Sequence, residues 1–94
     1  MATSVIKLKA KPGMEAALSE LMRRMVEVSN ANETGIRFFQ GFRSGAPDEF
    51  YMIESFKDMD ERAAHLASDH FKALRRELIG YVEGAPEVLR LTDL

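Results

Sequence analysis

Both histidines of the chain fall in one short stretch, AHLASDHFKAL, at positions 65 and 70. Imidazole is the side chain whose ordinary titration falls near neutrality, which makes it the first candidate for moving a proton. His65 lies beside an apolar stripe of Met59, Ala63 and Leu66, where a ring at the stripe's edge can reach a cavity between helix and sheet and act there as a general base. The plainer alternative is a ring bonded to backbone where two helical pieces meet. His70 follows Ser68 in a first helical turn, and a polar residue there needs no special explanation. Along an unbroken helix the five-residue spacing is about 500° of rotation, so the two rings are expected far apart, and further apart still if the helix breaks at Ser68. No chelating pair is expected. The nearby carboxylates Asp58, Asp60, Glu61 and Asp69 sit at capping positions where they meet the helix dipole, so no metal site is expected either.

Glu54 stands between Met52 and Phe56 in an apolar run, and a carboxylate on such a face needs a partner. It can anchor a hydrogen bond at a helix end or between subunits, or hold His65 in one tautomer. Phe38, Phe39, Phe42, Phe50, Tyr51, Phe56 and Phe71 could line an aromatic pocket, with Phe38, Phe56 and Phe71 favoured as substrate walls, although most of these residues must be packing. Arg37 and Arg75 carry charge that an anionic substrate would meet, with a solvated surface as the simpler reading.

The elements that must position these residues are legible from spacing. SVIKLKAK alternates Ile6, Leu8 and Ala10 with lysines, a strand that Pro12 and Gly13 stop. Met14, Leu18, Leu21, Met25 and Val28 recur at helical spacing, with Glu20 and Arg24, then Arg23 and Glu27, as i,i+4 pairs on the other side. SNANETG ends that helix. GIRFFQGF and EFYMIESF form a hairpin across the turn residues Gly45, Pro47 and Asp48. Strict alternation puts Ile36, Phe38 and Phe42 on one side of its first strand and Phe39 on the other. Asp58 with Glu61 opens one helical piece and Ser68 caps a second, whose stripe is Phe71, Leu74, Leu78 and Val82. Val88, Leu89 and Leu91 suggest a last strand.

The order is β-α-β-β-α-β with the second helix broken near Ser68, an α+β chain of ferredoxin-like architecture with an antiparallel sheet. The third strand falls between the first and second, and both helices lie on one face. The other face is left apolar and bare, and its simplest cover is a second copy packed face to face. Residues 1–94 make one domain, since 94 residues are well short of a two-domain chain. A chain this short buries only roughly 60 to 65% of its unfolded surface, which favours an oligomer.

Composition closes several routes. There is no cysteine, hence no disulfide framework and no thiol nucleophile. A net charge of −2 with interspersed signs argues against nucleic acid or an anionic membrane surface. No signal peptide or apolar span is present, so the cytoplasm is expected. EFYMIESF lacks the aromatic pattern of an RNA-recognition strand, and a metal chaperone of this topology would want a C-x-x-C loop.

The element order, with KPGMEAALSEL after the first strand, TGIRFFQGFRSGAPDEFYMIESFKD as the hairpin and AHLASDHFKAL after it, resembles the antibiotic biosynthesis monooxygenase (ABM) family of dimeric α+β barrels over roughly residues 4 to 92. The segment from Glu54 to Phe56 and the run from Ala64 to Phe71 carry most of the likeness. The resemblance implies a homodimer that oxygenates a small aromatic or quinol-type substrate with no cofactor. For such a reaction His65, read above as a general base, would take a phenolic proton, with Phe38, Phe56, Phe71 and Glu54 around the substrate. Many members have tryptophan where Phe56 stands. The haem-degrading branch uses asparagine, tryptophan and histidine at positions matching Ile6, His65 and Arg75, none of which is kept. Other members process signalling molecules or have no known activity, which leaves a non-catalytic dimeric small-molecule-binding or stress-response protein as the alternative.

Overall fold

A computed structural model describes all residues 1–94. The chain runs β1 (Ala2–Lys9), α1 (Glu15–Asn32), β2 (Ile36–Arg43), β3 (Glu49–Phe56), α2 (Met59–Ala67), α3 (Asp69–Tyr81) and β4 (Glu87–Leu91). The sheet order is β2-β3-β1-β4 with every pairing antiparallel, so the third strand does lie between the first and second, as the hairpin and crossover rules require. This is the ferredoxin-like arrangement with the second helix divided at Ser68. No helix is long and apolar enough to cross a membrane.

The first strand begins earlier than its alternation suggests, because Ala2 already pairs with Phe56. It stops where Gly13, at φ 84°, supplies a left-handed turn that a side chain would resist. Helix α1 buries Leu18, Leu21, Met22, Met25 and Ser29 against Leu8, Phe39, Phe50 and Met52 of the sheet, while Met14 stays exposed. Its charged side departs from the expected i,i+4 pairs: Arg23 bonds Glu20 at 2.8 Å, and Arg24 reaches across to Glu77 of α3 at 2.5 Å. The second link ties the two long helices together at their outer edges.

One departure from strict alternation changes the faces of β2. Ile36 pairs with Phe56 but Phe38 pairs with Ser55, a bulge that absorbs Arg37. Ile36 therefore packs against the core and Phe39 is buried beneath the helices, whereas Phe38 and Phe42 turn to the opposite face and stack with ring centroids 6.5 Å apart. On that opposite face Val5 sits across from Ile53 and Leu89, and Thr3 across from Leu91. Phe38, Leu89 and Leu91 are 44%, 60% and 43% exposed, so this side of the sheet is a broad apolar surface.

Candidate functional site

Helix α2 starts at Asp58, whose side chain accepts the Glu61 N–H at 2.8 Å, and ends at Ser68. Ser68 serves both helices. Its Oγ donates to the His65 carbonyl at 2.7 Å and accepts the Phe71 N–H at 3.3 Å, which closes α2 and opens α3 within one residue. His65 thus occupies the last turn of α2 and His70 the first turn of α3.

The break does the opposite of what helical rotation implies. Glu33, the C-cap residue of α1, receives both rings: His65 Nδ1 lies 2.9 Å from each carboxylate oxygen, and His70 Nε2 lies 2.5 Å from Oε2. The expectation that the two imidazoles stand far apart is corrected here. A continuous helix would have fanned them around one axis, but two helices meeting at Ser68 aim both at a third element. The three ligand-type atoms lie within 4.8 Å of one another, which a divalent cation could also use. Both ring nitrogens are spent on the carboxylate, however, and we read the cluster as a proton-bearing network.

Burial works to raise the Glu33 carboxyl, but hydrogen bonds from His65 and then His70 outweigh it and hold the group below the usual carboxylate range. An ionised carboxylate only accepts, so the His65 nitrogen facing it carries the hydrogen. That fixes the neutral His65 ring with its lone pair on Nε2. Nε2 is buried and has no hydrogen-bond partner, in a residue only 1% exposed. A buried nitrogen left unpaired is costly, and such exceptions in a folded chain call for a reason.

Three aromatic rings enclose His65. Phe71 lies 4.6 Å from it by centroid, Phe56 5.0 Å and Phe39 5.3 Å, the last edge-on. Phe39 and Phe71 also form part of the wall of a cavity of about 200 Å³ between the helices and the sheet. Met25, Met52, Leu66 and Leu78 supply more of its apolar lining, and Glu54, Arg62 and Arg75 its polar groups. Glu54 is 4% exposed, and burial raises its carboxyl above the usual range against the opposing charges of His65, Arg62 and Arg90. A larger hollow of about 340 Å³ lies between α1 and the β2 edge, lined by Arg23, Glu27, Arg43 and Phe50 among others. It has no buried carboxylate, whereas the smaller cavity has Glu54 and is walled by two of the rings that touch His65, so the smaller cavity is the candidate site.

The sequence candidates separate accordingly. Glu54 and Phe71 line the cavity, and His65 sits behind two of its wall residues. Phe56 is wholly buried beneath the His65 ring rather than in the cavity wall. Phe38, expected beside the substrate, is on the other sheet face, because it alternates with Phe39, whose side chain is the one turned to the cavity. Arg37 itself donates to Ser55 at 3.3 Å and does not reach the cavity, whereas Arg75 does. The tautomer of His65 is held by Glu33, not by Glu54. Glu33 and Arg62 are the residues that sequence reasoning passed over, while Phe39, one of its aromatic candidates, does line the cavity. The signal for Glu33 was its place at a helix C-terminus, where the dipole disfavours a carboxylate unless a cation or donor meets it.

With that geometry in place, similarity to known proteins follows the same lines. The family model for antibiotic biosynthesis monooxygenases matches residues 1–77. A candidate antibiotic biosynthesis monooxygenase of Nitrosomonas europaea superposes on 100% of this chain and 99% of its own at a TM-score of 0.92, with 22% identity. One of Caulobacter crescentus covers 99% of this chain and 89% of its own, with a TM-score of 0.92 and 26% identity. PA3566 of Pseudomonas aeruginosa covers 99% and 93% at a TM-score of 0.89 and 24% identity. No curated protein matches the sequence at a significant level.

Proposed function

Since the chain belongs to the antibiotic biosynthesis monooxygenase family, we propose that it is a cofactor-independent monooxygenase oxidising a small aromatic or quinol-type molecule with O2, with His65 as its base. The observation that carries this reading is the pairing of a donated Nδ1 with an orphaned, buried Nε2. A phenolic hydroxyl that passes the Phe39 and Phe71 rings at the Glu54 end of the cavity and reaches Nε2 gives that nitrogen the hydrogen bond it lacks. Glu33 then stabilises the imidazolium that forms when the proton transfers. The wall residues Phe39 and Phe71 hold the ring plane, and a cavity of about 200 Å³ suits one substituted aromatic ring, since roughly 150 Å³ already holds benzene.

Proton removal makes the substrate an electron-rich phenolate that reduces O2 directly. One electron passes to O2, and the resulting superoxide and phenoxyl radical join through a new carbon–oxygen bond. Loss of the ring hydrogen at that carbon and heterolysis of the O–O bond leave a carbonyl on the ring. The second oxygen departs as hydroxide and takes back the His65 proton as water. One phenol and one O2 give one quinone and one water. The apolar walls exclude bulk water from the radical pair.

The working unit in this proposal is a homodimer that covers the apolar sheet face carrying Val5, Phe38, Ile53, Leu89 and Leu91. The test is oxygen uptake by purified protein with a panel of phenols and quinols in air, set against the protein-free rate. Uptake that yields one quinone per O2 is expected. Binding of the same compounds without uptake above background would make the chain a small-molecule-binding module instead.

A further inference from the structure

The polar groups of the cavity wall are not balanced. Two guanidiniums, Arg62 from α2 and Arg75 from α3, share it with one buried carboxyl, Glu54. The chain's other well-placed arginines are engaged: Arg23 with Glu20, Arg24 with Glu77, Arg37 with Ser55 and Arg43 with Ser19. Arg76 and Arg90 are also unpaired, but neither lines the cavity. Arg62 is different, because its Nε is shut away from water with no acceptor in reach. Guanidinium Nε and Nη donors together make the fork that takes up a carboxylate in two parallel bonds. Neither Arg62 nor Arg75 has an ion-pair partner in the folded chain. Burying a donor without an acceptor is unfavourable unless a ligand provides one.

We infer that the cavity takes an aromatic ligand carrying an anionic group, of the carboxylate class, with the anion held between Arg62 and Arg75 and the ring's hydroxyl at the Glu54 end. This rests on the reading of the cavity as the substrate site and narrows it from neutral quinols to phenolic or quinol acids. The two guanidiniums come from separate helices that meet at Ser68, so an anion bridging them also fixes the angle at which those helices stand over the cavity. The ring then lies against Phe71, which follows Ser68 by one turn and touches His65.

The test is a matched pair of ligands, hydroquinone and 2,5-dihydroxybenzoate, which differ by one carboxylate. Binding is titrated by calorimetry without oxygen, so the result does not depend on turnover. The dihydroxybenzoate is expected to bind about tenfold more tightly than hydroquinone, as a charge-assisted pair of bonds provides. Arg75→Gln, a change at an exposed side chain, is expected to erase that preference, read as the ratio of the two affinities. Arg62→Gln should do the same, and Arg75→Lys should restore part of it. Equal affinities in the unaltered protein, a preference that survives both glutamine variants, or no binding of either ligand would each overturn the inference. Anion preference without oxygen uptake would sink the oxygenase and keep the ligand class. Uptake without anion preference would do the reverse.

Discussion

Glu33 sits where a lone carboxylate is disfavoured, at the C-terminal end of α1 with no basic residue in the last turn, and two imidazoles make the position favourable. Its lowered carboxyl gives a signed prediction. A group whose folded value is depressed adds stability above its unfolded value, and that stability is lost as pH falls through the folded value. Glu33→Gln is therefore expected to cost about 1 to 3 kcal/mol at neutral pH, the penalty of leaving buried donors unmet, with the difference from the unaltered protein disappearing in acid. Thermal unfolding across pH 3 to 7 checks it. Glu54 carries the opposite sign. Its raised carboxyl means the ionised form is a burden above the folded value, so Glu54→Gln is expected to raise stability by about 1 kcal/mol at neutral pH, as removal of a functional buried charge commonly does. That gain should shrink to nothing as pH falls below the ordinary glutamate range. His65, Glu54 and Phe71 were legible in the sequence because each is a polar or aromatic residue at odds with, or beside, an apolar stripe. Glu33 was hidden because its meaning depends on a residue 32 positions away in another element.

Ser68 shows how one residue's local chemistry fixes the relation of two elements. Its hydroxyl ends α2 and begins α3, and that junction turns His70 toward the carboxylate already bound to His65. Ser68→Ala is expected to lower stability by about 1 to 2 kcal/mol through the lost cap. It should also speed amide exchange in the first turn of α3, and the measurement is native-state hydrogen exchange resolved by residue. The caps themselves were readable, since Asp58 with Glu61 and Ser68 before an apolar stripe are sequence signatures. Their three-dimensional consequence was not, because helix rotation rules describe one continuous axis. The bulge at Arg37 escaped for a similar reason: period-two alternation carries no mark of an inserted residue, and so Ile36, grouped with Phe38 and Phe42, packs on the core while those two keep the face opposite Phe39. Gly35 marks the same corner. A Cβ there would lie about 2.0 Å from the Glu61 carboxylate, so a larger residue would push that side chain aside.

At the scale of the molecule, element order and sheet order followed from pattern, crossover handedness and the short hairpin alone. The apolar face opposite the helices was legible too, as both sides of the hairpin are rich in apolar residues. In the proposed homodimer this face is internal, and a charge at its centre should separate the copies. Ile53→Asp is expected to give a species of single-chain mass in sedimentation velocity and a lowered melting temperature, where the unaltered protein sediments at twice that mass. Sedimentation of the unaltered protein as a stable single chain at micromolar concentration would contradict the dimer. The central claim, that His65 backed by Glu33 draws the proton that lets the substrate reduce O2, is met most directly by oxygen consumption. The unaltered protein and His65→Gln are compared with the same quinol under air, after anaerobic titration shows that both bind it equally. The account predicts a rate in the variant at least about a hundredfold lower, the scale of a lost general base. An undiminished rate in His65→Gln would contradict it.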